Sequence, residues 1–180
     1  MLVVREADVG TVAYARLMRE GLVHEVLGPV ALPRDVTSTP ALRWLLAAPY
    51  VPPHTWATGL AALWLRGLAP PPQTINLVGL RGLHKVIPPA STPPVAYHSG
   101  PRVGLPAGAW RVADVSRACV DALFYESAQS AIPVVARALR LRRTTPRSLQ
   151  HVSRRVGTRT QHHARVTALV DAVVAAHNDA

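Results

Sequence analysis

Trp110-Arg111-Val112-Ala113-Asp114-Val115-Ser116-Arg117-Ala118-Cys119-Val120-Asp121-Ala122-Leu123 reads as the end of a strand, a helix cap and a helix in direct succession. Ala109–Val112 has strand length and strand-forming residues. Asp114 is a residue type whose carboxylate accepts a free N–H of a first helical turn, so Val115–Glu126 is expected to be helical. Strand and helix within one short run place the chain in a mixed α and β class. Arg117 and Asp121 stand four apart and share a helix face. An ion pair tying this helix to the sheet is the preferred reading, with a phosphate or partner contact as the other. Cys119, between them, is expected to point into the core.

Downstream the pattern stays helical. Ser127 or Ser130 precedes a helix through Ile132–Arg142 with Pro133 in its first turn, and Thr145-Pro146 repeats that start signal for Arg147–Arg155. Thr160–His177 forms a fourth helix with Val166, Leu169, Val170 and Val173 as its apolar stripe. Upstream, seventeen prolines crowd mostly into residues 29–106 and predict short elements joined by turns. Ser38 or Thr39 caps a short helix over Ala41–Leu46 with Pro40 at its first position, and His54–Arg66 is expected as a longer helix. Thr74–Val78, Val95–His98 and Ala109–Val112 are three strands of a small antiparallel sheet. At the start, Ala7–Glu20 is expected as one helix, stopped by Gly21 and followed by a hairpin, Leu22–Leu27 and Val30–Pro33, turning at Gly28-Pro29. A helix followed directly by a hairpin is the second half of a winged helix-turn-helix. Thr11 and Tyr14 would lie nearest DNA bases, with Arg16 and Arg19 against phosphates or the groove edge. The expected architecture is therefore α+β. Residues 1–36 form a partial winged-helix module, and residues 37–180 a small antiparallel sheet packed with helices and a helical, Arg-rich C-terminus.

Charge placement carries the functional signal. The 180 residues hold nineteen Arg, one Lys and ten acids, for a net charge of +10. Arginine in place of lysine is what a GC-rich coding sequence produces, but it does not explain clustering. Nine Arg and no acid lie between Arg137 and Arg165, the footprint of a polyanion binder, against the plainer reading of a solvated basic helix face. Arg140, Arg142, Arg143 and Arg147 bracket the Thr144-Thr145-Pro146 helix start as a phosphate clamp, and Arg154, Arg155 and Arg159 extend it. Aromatic residues are missing from this stretch, so duplex backbone contact is expected rather than stacking on single strands.

Several function classes fall away. No apolar run nears the ~18 residues of a membrane span. The first residues do not read as a signal peptide, and one cysteine fits a reducing compartment, so a cytoplasmic protein is expected. His54, His84, His98 and His151 have no carboxylate or cysteine at ligand spacing, the adjacent His162 and His163 would diverge on a helix, and no nucleophile elbow, phosphate-cradling Gly loop or paired catalytic carboxylates are present. A binding protein with no metal, no cofactor and no catalysis is expected.

Four stretches resemble the AbiEi family, the antitoxin component of type IV toxin–antitoxin systems, in its actinobacterial form. They are Leu17–Leu22 leading into Gly28–Pro33, Thr58–Leu68, Pro72–Leu77 and Trp110–Leu123, and the similarity runs over roughly Val4 to Leu149. The resemblance implies a winged-helix DNA-binding module, here shortened at its start, fused to an α/β domain. It also implies an autorepressor that binds its own promoter, with a cognate nucleotidyltransferase-like toxin as partner. The alternative is a protein-interaction module that neutralises such a toxin by direct contact without operator binding. The oligomeric state is left open.

Overall fold

The structure is a computed structural model and describes residues 3–80, 93–156 and 163–179. Among these residues the chain is mixed α+β, with eight α-helices and two three-stranded sheets. The first unit runs β1 (Val4–Arg5), α1 (Glu6–Val9), α2 (Thr11–Arg19), β2 (Val23–Leu27) and β3 (Val30–Pro33). β1 and β2 both pair antiparallel with β3, giving the order β1-β3-β2. The single helix expected over 7–20 is two, because Gly10 sits at φ 82°, a conformation that ends α1 and starts α2. The break also rephases the apolar stripe. Val9, Leu17 and Met18 are half-buried, while Val12 is 86% exposed.

The second unit begins at α3 (Pro40–Ala47), where Thr39 Oγ1 accepts the Leu42 N–H at 3.2 Å and Pro40 occupies the first turn. The helix expected over His54–Arg66 is instead a strand and a shorter helix, β4 (Thr55–Ala57) and α4 (Gly59–Leu65). Thr55, Trp56 and Ala57 pair antiparallel with Gly79, Val78 and Leu77, so sheet pairing overrides the local helical pattern. β5 (Ile75–Leu80) and β6 (Val95–Gly100) pair in parallel, Ile75 opposite Val95 through Leu80 opposite Gly100. The sheet is therefore mixed, in the order β4-β5-β6, and not the antiparallel sheet expected. The segment between Leu80 and Val95 is long enough for the crossover that parallel neighbours need. The third expected strand, Ala109–Val112, is reduced to a single parallel bridge from Val112 to Ala57. The Arg111 and Val112 amides turn back onto the carbonyls of Ala109 and Trp110 instead of extending a ladder.

Four helices complete the fold: α5 (Val115–Tyr125), α6 (Ala128–Arg140), α7 (Pro146–Val156) and α8 (His163–Asn178). The start of the last expected helix, before His163, lies outside the described residues. Of the two expected starts of α6 the earlier is used, with Ser127 accepting the Ser130 N–H at 3.2 Å, so Pro133 falls inside the helix and not in its first turn, leaving one helical hydrogen bond unmade. α5 is the central helix: every residue from Arg117 to Leu123 is buried, and α4, α6, α7 and α8 all pack on it. Leu63, Leu65, Leu77, Leu123, Leu139 and Leu149 are essentially inaccessible, each contributing about 1.5–3 kcal/mol by burial. Val26, Leu27, Val30 and Leu32 of the hairpin belong to this same continuous core. No helix among the described residues is long and apolar enough to cross a membrane.

Candidate nucleic-acid interface

The site grows out of α5. Asp114 Oδ1 accepts the Arg117 N–H at 2.7 Å and fixes the start of that helix. One turn on, Arg117 Nε donates to Asp121 Oδ2 at 2.8 Å with both side chains fully buried. Asp121 Oδ2 also accepts from Thr58 Oγ1 at 2.5 Å, and Arg117 Nη1 donates to the Pro101 and Val103 carbonyls at 2.9 and 2.7 Å. The pair thus joins α5 to the residue that precedes α4 and to the loop leaving β6. Gly104 makes the close approach possible, because a Cβ there would lie 2.5 Å from Arg117 Cβ. Burial pushes the Asp121 carboxyl above its ordinary range, against the downward pull of Arg117 and Thr58. Nothing about this pair is presented to a soluble ligand. Cys119 is fully buried beside it, and burial together with Asp114 pushes its thiol up to about 12.

The arginine-rich segment is the reverse case. α6 ends at Arg140, and the Arg143 N–H bonds to the Ala138 carbonyl while the Arg142 N–H bonds to the Leu139 carbonyl, at 2.9 and 2.8 Å. This paired closure is a Schellman motif, which requires a left-handed residue at the position after the cap. Glycine is the residue that takes this conformation without penalty. Here Arg142 takes it, at φ 52°. The turn is also clamped from beneath: Thr144 is buried and shares a 2.8 Å hydrogen bond with Ser116 of α5, while Thr145 Oγ1 caps α7 by accepting the Ser148 N–H at 3.1 Å. Arg140, Arg142 and Arg143 are therefore held around one rigid turn, and Arg147 follows in the first turn of α7. All four are exposed, and none takes part in an ion pair among the described residues.

α7 continues the pattern. Leu149, Val152 and Ser153 are buried on one side; Arg147, His151, Arg154 and Arg155 are exposed on the other, four, seven and eight positions apart. That spacing aligns them over roughly 10–12 Å of helix axis. Arg137 on α6 and Arg165 on α8 are exposed as well. Arg159 lies outside the described residues.

The N-terminal candidates are placed less uniformly. Thr11 and Arg19 are exposed on α2. Arg16 is tied to Glu20, its Nε donating at 2.7 Å across an exposed i,i+4 pair. Tyr14 is half-buried, its hydroxyl shut away from solvent, and burial with Glu25 and Glu6 raises its pKa. Tyr14 thus faces the hairpin rather than the surface that carries Thr11. The outward side of α2 is carried by Val12, Ala15, Arg16 and Arg19.

A second basic locus escaped the sequence reading. His54, Arg102 and Arg111 line one cavity of about 380 Å³. The signal for it was present: no Asp or Glu occurs from Val36 to Ala113, while six Arg or Lys do. Among the described residues no group of three or more His, Cys, Asp or Glu is disposed to hold a metal. No family model matches this chain, and no curated protein matches it significantly.

Proposed function

We propose that the chain is a duplex-DNA-binding protein acting as an AbiEi-like antitoxin and autorepressor, through phosphate contacts and not through catalysis. The observation that carries this reading is the array at the α6–α7 turn. Arg142 holds a backbone position where glycine is favoured, and it and its arginine neighbours point unpaired into solvent from a rigid turn. A strained residue that serves no packing purpose is a reason to look for function. Guanidinium forks so placed suit the bidentate recognition of phosphate oxygens.

The first unit supports a reading role. Its order of strand, two helices and hairpin, with β1 and β2 flanking β3, matches what a winged helix-turn-helix has from its second helix onward. On this reading α2 is the recognition helix and β2–β3 the wing. The exposed Val12 suits a thymine methyl and Arg19 a phosphate or a guanine edge. The Arg16–Glu20 pair makes Arg16 a weaker candidate than Arg19. The toxin-contact alternative draws on one observation, an open apolar groove between α6 and α8 lined by Ile132, Ala136, Leu169 and Val173. A groove of that kind suits the side chains of a protein partner.

Titration of the protein's own promoter and of a random duplex at several salt concentrations tests the proposal. Arg142→Ala with Arg143→Ala should weaken both duplexes alike and flatten the log–log salt slope by about 0.9 per lost contact. Arg19→Ala with Val12→Ala should narrow the gap between promoter and random DNA. Unchanged slopes and an unchanged gap, with neutralisation of the toxin intact, would leave the protein-contact reading standing alone.

A further inference from the structure

We propose that the cavity at the carboxyl ends of β5 and β6 binds a phosphorylated small molecule, separately from any duplex contact. Leu80 is the last residue of β5, and Arg102 follows shortly after the last residue of β6, so the cavity opens beyond the carboxyl ends of the parallel pair. In sheets with parallel strands this is where ligands are bound. At about 380 Å³ it falls in the range of small-molecule sites.

Its chemistry is one-sided. His54, Arg102 and Arg111 supply the polar lining, Trp56 and Leu80 supply apolar wall, and no carboxylate among the described residues lines it. Arg111 is already positioned: Nη2 donates to the Val51 carbonyl at 2.7 Å, while its Nε is buried with no hydrogen-bond partner. Arg102 is exposed and enters no ion pair among the described residues. His54 is held at φ 63°, one of only two non-glycine residues among those described with a positive φ. Such strain collects at ligand sites. Two guanidinium forks and an imidazole converging on one cavity match the three terminal oxygens of a phosphate monoester, and the Trp56–Leu80 wall matches its organic part. The acid-free run from Val36 to Ala113 contains all three of these residues, and the acid that ends it, Asp114, caps α5 and does not line the cavity.

The proposal does not depend on the duplex-binding role, and the test separates the two. The full chain is titrated by calorimetry with adenosine 5′-monophosphate, inorganic phosphate and adenosine, and in parallel with a random DNA duplex. The nucleotide should bind more tightly than inorganic phosphate, and adenosine should give no binding. Arg102→Ala, a change at an exposed side chain, should weaken the nucleotide by about tenfold or more, the worth of a charge-assisted hydrogen bond, and leave duplex affinity unchanged. His54→Gly keeps the backbone conformation, removes the imidazole, and should weaken the nucleotide as well. Thermal melting of both variants establishes that they are folded. No binding of either phosphate by the native chain, or full nucleotide binding by a folded Arg102→Ala, overturns the proposal. Parallel loss of nucleotide and duplex in Arg102→Ala overturns it too, since the cavity would then be part of the DNA-backbone surface.

Discussion

Arg142→Gly should make the protein more stable and a poorer DNA binder at once. A non-glycine residue in the left-handed region costs roughly 1–2 kcal/mol through the clash of its Cβ with the carbonyl oxygen. Arg142 incurs that cost at φ 52°, between the two hydrogen bonds that close α6. Glycine removes the clash but leaves the unfolded chain with more freedom, an opposing effect of about 0.4–1 kcal/mol. The net gain is about 0.5–1 kcal/mol, which for a chain of this size raises the Tm by about 1–4 °C. The side chain is exposed and makes no hydrogen bond among the described residues, so its removal takes nothing from the fold. On DNA, by contrast, one lost phosphate contact lowers the log–log salt slope by about 0.9. Arg142→Ala is the control. It loses the same cation but keeps a Cβ at the same φ, so the slope should fall as far with the Tm nearly unmoved. Calorimetric melting and anisotropy titrations across a salt series measure both quantities. A lower Tm for Arg142→Gly would refute the strain argument. A raised Tm with an unchanged slope would refute the phosphate assignment.

Three further outcomes are expected. Asp121→Ala leaves the Arg117 guanidinium buried without its counter-charge and should cost about 3–5 kcal/mol, while the surviving folded protein binds duplex normally; a well-folded variant that fails only in toxin neutralisation would place the pair at an interface. Cys119 should resist alkylation in the native protein and react at the rate of global unfolding, since its thiol is buried and its pKa pushed up to about 12; rapid native labelling would mean that α5 opens locally. The Glu126 carboxyl is raised above its ordinary 4.5 by burial, against the Asn76 amide that donates to it at 2.5 Å. Its ionisation is therefore disfavoured in the folded state, and that stability contribution is lost as pH rises through the folded pKa. Glu126→Gln lacks this loss, so its Tm relative to the native chain should climb as pH rises past about 4.5; a constant or shrinking difference would refute the assignment.

What could be read in the sequence was what short-range chemistry decides. The Asp114, Thr39 and Ser127 caps are local hydrogen bonds between a side chain and the first turn of its own helix. The helices α3, α5 and α7 accordingly begin where cap and proline signals put them. What was misread is what distant chain decides. Thr55-Trp56-Ala57 carries a helical pattern continuous with α4, and only its pairing with Leu77–Gly79 makes it a strand. The direction of β6 is likewise set by a crossover and not by any residue in the strand. In the site, clustering along the chain revealed the α6–α7 arginines because they are neighbours in sequence. The His54, Arg102 and Arg111 cluster is assembled by the sheet from two well-separated stretches, so the acid-free run marks the region but not which of its basic residues meet.

The two basic loci differ in a way that bears on how the protein could work. At the α6–α7 turn the cations stand outside a rigid frame, each exposed, with Thr144 and Thr145 fixing the backbone beneath them. Exposed cations in high dielectric interact weakly one at a time, so such a surface acts by number and is steeply weakened by salt. In the β5–β6 cavity there are fewer cations, but Arg111 is partly withdrawn from solvent and tethered to the Val51 carbonyl, and low-dielectric walls adjoin it. A charge interaction there is screened less and depends more on shape. The α6–α7 surface is therefore the more salt-sensitive of the two and suits a polymer, while the cavity is the more compact and suits a small anion. Raising the salt concentration should dissociate duplex well before it empties the cavity, because a duplex engages more exposed cations and Arg111 of the cavity is partly withdrawn from solvent.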